Sequence, residues 1–253
     1  MYKNLIQNFS KIALAALFMT SLSSCYIRIS ESAIQRMKES IQVGSDSPTM
    51  QTFHPESYRN IDLTTGFMDI EFVQSDSAVR VEVTTSADLI GKIRVETIDG
   101  TLVNDFDDLP TRIFGSEHKI VVYGPLPDSL ILNGGGDALI QEIEGDSLYL
   151  SMNGSGDVRF KRAELSGGLT LNLIGSGDLE ADMLRCGTLT LSRTGSGDTR
   201  LAGSTGKAQF SRVGSGDVDA SELVAASVEV LHNSGSGELI YNLNGEKIDL
   251  EED

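Results

Sequence analysis

Four copies of Gly-Ser-Gly-Asp punctuate the second half of this sequence, at Gly154–Asp157, Gly175–Asp178, Gly195–Asp198 and Gly214–Asp217. Two variants flank them: Gly-Gly-Gly-Asp at Gly134–Asp137 and Gly-Ser-Gly-Glu at Gly235–Glu238. The acids fall at 137, 157, 178, 198, 217 and 238, so the steps are 20, 21, 20, 19 and 21 residues. A fixed period of this size marks units that each bury their apolar side only against a neighbour.

The units share one grammar. An alternating strand precedes each turn, as in "LYLSM", "LTLNL", "LTLSR" and "AQFSR". After the acid, Ala138, Val158, Leu179, Thr199, Val218 and Leu239 occupy one phase, with Ile140, Phe160, Ala181, Leu201, Ala220 and Tyr241 two residues on. Arg159, Glu180, Arg200 and Asp219 lie between them, in the phase of the opposite face. A second, looser corner follows, marked by Gly145, Gly167, Gly187, Gly206 or Gly245. Two short strands per unit, stacked about 4.8 Å apart as parallel ladders, predict an all-β solenoid resembling a right-handed parallel β-helix over residues 127–246. A sandwich or barrel of hairpins is the rival, because the same tetrapeptide also suits a hairpin.

Stacked acids about 4.8 Å apart repel by roughly 1 kcal/mol in water. Solvation, bonds from turn amides, or cations between the carboxylates relieve this. The preferred reading makes the acids turn formers and gives Gly154, Gly156, Gly175, Gly177, Gly195, Gly197, Gly214 and Gly216 the positive φ angles of the turns. The alternative makes Asp137, Asp157, Asp178, Asp198, Asp217 and Glu238 calcium ligands. The turns resemble those of the calcium-binding β-roll, but they are two residues shorter and occur once per 20 residues. No other cofactor is expected. Arg159, Arg193, Arg200 and Arg212 lie near the turns and are read first as neutralising the acids, second as a binding stripe.

Upstream, "NIDL", "MDIEF", "VRVEV" and "KIRVET" alternate, and "IVVYGPLP" reads as a strand that stops at Pro125. Residues 53–126 are therefore an N-terminal β region of the same fold, either continuing the solenoid or capping it. Residues 247–253 form an acidic tail.

The first 24 residues carry Lys3 and Lys11, then an apolar run from Ile12 to Met19, too short to span a bilayer comfortably. Leu22-Ser23-Ser24-Cys25 resembles a bacterial lipobox, which makes Cys25 the lipidated N-terminus and residues 1–24 the leader. Cys186 is then left without a partner for a disulfide. Residues 25–52 read as tether and linker: Ser30 or Ser32 starts a short helix with Ile34, Met37 and Ile41 on one face, or the stretch is a disordered tether. "VGSDSPTMQ" at 43–51 has linker composition. The sequence after Cys25 lacks an immediate acidic cluster, which favours the periplasmic side of the outer membrane over the cell surface.

The net charge is −17, and loss of the two leader lysines makes it −19. That balance argues against nucleic acid as a partner. His54, His118 and His232 form no metal-binding pair, the turn serines do not match a Gly-x-Ser-x-Gly elbow, and no Lys-Ser/Thr follows the glycines. Cys186 reads as a small buried residue at a corner. Two of the acids on a β-helix scaffold keep a carbohydrate-active enzyme open as an alternative, and a structural spacer is a third reading.

Several segments together resemble the bacterial "putative auto-transporter adhesin, head GIN domain" family: the lipobox at Cys25, "ESYRNIDLTTGFMDIEFVQSD", "VETIDGTLV", "VVYGPLPDSLILNGGGD" and the Gly-Ser-Gly-Asp turns, from about Phe53 to Gly245. The resemblance implies a β-helix-like fold, an envelope location and, by the family's name, adhesion. It carries over no catalytic or ligand residues. The expectation is thus a non-enzymatic, lipid-anchored envelope protein whose solenoid surface binds a glycan, a protein or another copy of itself.

Overall fold

In the computed structural model, residues 48–107 and 117–250 are described. The leader, Cys25 and the helix expected after Ser30 lie outside them. In chain order the strands are β1 (Pro48–Phe53), β2 (Asn60–Gly66), β3 (Asp69–Gln74), β4 (Arg80–Ser86), β5 (Ile93–Ile98), β6 (Thr101–Phe106), β7 (Lys119–Gly124) and β8 (Ser129–Gly134). They continue with β9 (Ala138–Gly145), β10 (Leu148–Gly154), β11 (Val158–Gly175), β12 (Leu179–Gly195), β13 (Thr199–Gly214), β14 (Val218–Ser234), β15 (Leu239–Leu243) and β16 (Glu246–Leu250). One 3-10 turn, Ile90–Lys92, precedes β5.

The pairing is that of a β-solenoid. The strand before each glycine turn pairs in parallel with its counterpart one coil away, so Leu150 stands beside Leu130 and Leu171, and Leu191 beside Leu171 and Phe210. The strand after the turn does the same, with Val158 beside Ala138 and Leu179. Hairpins would have given antiparallel partners, so the sandwich and barrel alternatives fall. The inward columns fill the space between the two faces with Leu, Val, Ala and Phe, nearly all fully buried. Each buried Leu contributes roughly 1.5–3 kcal/mol by leaving water.

The coil differs from the expected pair of short strands. β11 to β14 run unbroken for 16 to 18 residues from one glycine turn to the next, bending through the second corner without leaving the ladder. Irregular register at Leu165–Gly168 falls at the second corner, and another, at Ala181–Leu184, falls before it. The corner glycines permit the bend by close approach: a Cβ on Gly187 would sit 2.6 Å from the carbonyl oxygen of Gly167.

The N-terminal region both continues the solenoid and caps it. β2 pairs in parallel with β8, and β3 with β9, so they form the coil before the first regular one. β6 and β7 stack on that coil in parallel. β5 then closes against β6, and β4 against β7, in antiparallel fashion, with β1 outside β4. β1 begins at Pro48, inside the segment of linker composition, because a polar strand at the sheet edge needs no apolar alternation. At the other end Asn244 and Gly245, both with positive φ, turn the chain into β16, so residues 247–250 of the expected tail pair, with Glu246, against β15.

Candidate functional site

Every turn acid has a fixed partner. The Oδ1 of Asp137 accepts the backbone N–H of Asp157 at 2.9 Å, and that of Asp157 accepts the N–H of Asp178 at 2.8 Å. The series continues from Asp178 to Asp198, from Asp198 to Asp217 and from Asp217 to Glu238, at 2.7, 3.0 and 2.8 Å. Backbone bonds run the opposite way, as when Val158 donates to the carbonyl of Asp178. A hydrogen bond to a charged acceptor contributes about 1.5–3 kcal/mol, less where exposed, against roughly 1 kcal/mol of repulsion between neighbouring carboxylates in water. The amide bonds offset the repulsion between neighbouring carboxylates through one oxygen of each acid. Among the described residues no group of three His, Cys, Asp or Glu side chains converges as a metal site.

The ladder begins one coil earlier than the repeat. Asp69 accepts the N–H of Asp137 at 3.0 Å, making seven acids in line. Its turn reads Gly66-Phe67-Met68-Asp69 and hides from a glycine search because it keeps only the first glycine of the pattern. In each later turn the Cβ of a non-glycine residue would point at the preceding turn: on Gly195 it would lie 1.8 Å from the carbonyl oxygen of Gly175, and on Gly197 2.1 Å from that of Gly177. The turn at Asp69 instead carries Phe67 and Met68 at the two positions before the acid. The one surviving signal was the spacing from Gly66 to Asp69, equal to that from Gly134 to Asp137.

The two glycines of a turn have different jobs. Gly154, Gly175, Gly195 and Gly214 have φ between +135° and +158°, where L side chains are rare. Gly156, Gly177, Gly197 and Gly216 are not among the positive-φ residues; they are buried and required by the close approach of the neighbouring turn.

The arginines divide into two pairs. Arg159 reaches Glu180 and Asp182, at 3.1 and 3.0 Å, and Arg200 reaches Glu222 at 2.9 Å, all on the strands after the turn. They neutralise neighbours on that face rather than the turn acids. Arg193 and Arg212 point inward, 3% and 1% exposed, in a column that elsewhere holds Leu132, Met152 and Leu173. Arg193 Nε donates to the carbonyl of Gly197 at 2.9 Å, and Arg212 donates to the carbonyls of Gly214 and Gly235 and to Asn233. Burial lowers the affinity of Arg193 for its proton, while Asp178, Asp198 and Asp157 pull it back up.

The remaining candidates lie apart. His54 and His232 are exposed. His118 is half-buried, bonded through Nδ1 to Thr85 Oγ1 at 2.7 Å and packed edge-on against Phe67 at 4.9 Å. Cys186 is buried beside Gly187, and burial pushes its thiol pKa up. A hollow of about 620 Å³ follows the second corner past Glu144, Glu164, Arg185 and Cys186, with no aromatic residue in its lining. Among the described residues no helix is long and apolar enough to cross a membrane.

A stacked parallel solenoid whose turns are locked by a carboxylate-to-amide ladder is a repeat scaffold with broad sheet faces. The chain belongs to the "putative auto-transporter adhesin, head GIN domain" family, whose model matches residues 57–167 and again 164–249. Among solved structures it is similar to a putative adhesin of Parabacteroides distasonis ATCC 8503, with TM-score 0.68 and 22% identity over 78% of this chain and 83% of that one. A protein described as a putative lipid binding protein from the same organism aligns with TM-score 0.67 and 21% identity, over 81% of this chain and 97% of its own. A putative adhesin of Parabacteroides merdae ATCC 43184 gives 0.65 and 18%, over 78% and 97%. At these identities the likeness establishes the fold. No protein of curated function matches the sequence.

Proposed function

We propose that this protein is a non-catalytic binding module of the bacterial envelope, held to the outer membrane by lipid on Cys25 and presenting the solenoid faces to a partner on the periplasmic side. The observation that carries the reading is the use of the turn acids. One oxygen of each turn acid joins it to the next coil, which directs the search for a recognition surface to the sheet faces. The family and its adhesin relatives support the same reading. The lipobox supports the anchor.

The enzyme alternative requires a carboxyl group able to donate a proton. Glu144 and Glu164 are neighbours across the β9–β11 ladder and line the hollow at the second corner. Arg162 donates to Glu164 at 2.7 Å and holds its carboxyl below the usual carboxylate range, the direction opposite to that of a general acid. The absence of aromatics around the pair also disfavours a sugar subsite.

The full-length chain and its Cys25→Ala variant, made in a bacterial host, test the anchor: wild type is expected in the outer-membrane fraction and the variant in the soluble periplasm. Equal partition of the two would remove the lipid from the proposal. Binding is tested by titrating labelled protein onto isolated envelopes. Saturable binding competed by unlabelled protein is expected, and release of reducing sugar that vanishes in Glu164→Gln would favour the enzyme instead.

A further inference from the structure

The two faces of the solenoid differ in charge. On the strands after the turns, Arg159, Arg162, Arg200, Glu180, Asp182 and Glu222 form exposed ion pairs. On the strands before the turns, three side chains per coil point outward from each of five adjacent strands: β8, β10 and the C-terminal halves of β11, β12 and β13. None of those positions is Asp, Glu, Lys or Arg. They run as rows of Ser, Thr, Asn and Gln, exemplified by Thr170, Asn172, Thr190 and Ser192, broken by apolar residues. Tyr149, Ile174 and Val213 on this face are 39%, 47% and 40% exposed, among the most exposed large apolar residues described. Charges stand at its margins: Asp62 on β2 accepts from Asn133 at 3.0 Å, and Glu229 on β14 accepts from Gln209 at 2.8 Å and pairs with Lys207.

We infer that this uncharged face is a self-association surface, on which a second copy of the chain seats face to face. The inference rests on the reading of the solenoid as a binding module. Three arguments choose the occupant. A chain of net charge −17 repels its own copies through every charged surface, and this face is where two copies meet with least repulsion. Hydroxyl and amide side chains both donate and accept, so the face is complementary to itself, while Ile174, Val213 and Tyr149 gain by leaving water. The patch measures about 24 Å across five strands and about 20 Å along them. A two-fold contact over it buries about 1,000 Å² in total, the lower limit for a specific interface. The contact is isologous and closes at two copies. It is weak in dilute solution and favoured where a shared membrane raises the local concentration. A neutral glycan is the lesser fit, because Tyr149 is the only ring on the patch.

The test uses the full-length chain in bacterial membranes, in a Cys186→Ala background. Asn172→Cys, at the centre of the patch, is treated with a short bismaleimide, and Glu180→Cys on the opposite face serves as control. Cross-linked dimer is expected for Asn172→Cys and not for Glu180→Cys. Adding Ile174→Asp and Val213→Asp to the Asn172→Cys chain, with an unchanged melting temperature, is expected to lower the dimer yield at least tenfold. No dimer from Asn172→Cys, or equal dimer from both cysteines, overturns the inference. No dimer from Asn172→Cys in a chain that still binds envelopes saturably overturns it while leaving the binding-module reading standing. Binding of a neutral polysaccharide that Tyr149→Ala abolishes, in a chain that gives no dimer, assigns the face to a glycan instead.

Discussion

Asp178 accepts an amide with one oxygen of its carboxylate, and an amide oxygen in the same place accepts more weakly but without the repulsion between neighbouring carboxylates. Asp178→Asn is therefore expected to leave stability within about 0.5 kcal/mol of wild type, and Asp178→Ala to cost about 1 kcal/mol, because the N–H of Asp198 then turns to water. Urea denaturation of the two variants separates a hydrogen-bonding role from one that needs the charge. His118 makes the opposite kind of case, a residue whose charge the fold resists. Burial lowers its pKa from the ordinary 6.5, with Asp69 and Asp88 pulling the other way. The folded state thus favours the neutral ring, and its contribution to stability is present above pH 6.5 and declines as pH falls through the folded pKa. Melting temperatures between pH 8 and pH 5 are expected to fall more steeply in wild type than in His118→Gln.

At the scale of the coil, the glycines decide the outcome. Gly197→Ala places a methyl group 2.1 Å from a carbonyl oxygen and 1.8 Å from Arg193, inside a buried turn with no flexible neighbour on the backbone side. A loss of more than about 3 kcal/mol is expected. Gly91→Ala, which meets nothing within 4 Å, is expected to change stability by less than about 0.5 kcal/mol, and chemical denaturation compares the two. The same geometry explains what a reader of the sequence can and cannot see. Stacking forces glycine at two places per turn, so the six regular coils are spelled out in the letters, and the alternation of Leu150, Leu171 and Leu191 gives their inward face. The turn at Asp69 keeps only Gly66 of the pattern and goes unread. Nor does alternation reveal the bend within β11 to β14, since the inward phase resumes after each corner as if a new strand had begun. Arg193 and Arg212 look like surface charges in any sequence. Only the carbonyls converging beneath the turns explain why guanidinium replaces Leu173 one coil further on.

For the whole molecule, the carboxylate stack predicts indifference to calcium. A melting curve of the full chain in calcium and in chelator is expected to show the same midpoint, because the amide bonds already organise the acids. A rise in calcium of more than a few degrees would mean that the free Oδ2 atoms take up a cation when folded. The ladder also has a direction. Each acid grips the coil that follows it, and the last acid, Glu238, has no further turn to hold among the described residues. Growth and shrinkage of such a chain in evolution are then modular. Excising one span from the middle of a turn to the middle of the next, Gly177 to Ser196, would bring Asp198 to the position Asp178 held and leave every remaining grip intact. Gene duplication or deletion in steps of one coil would alter the reach of the molecule while preserving its chemistry, so relatives are expected to differ in length by whole layers rather than by loops.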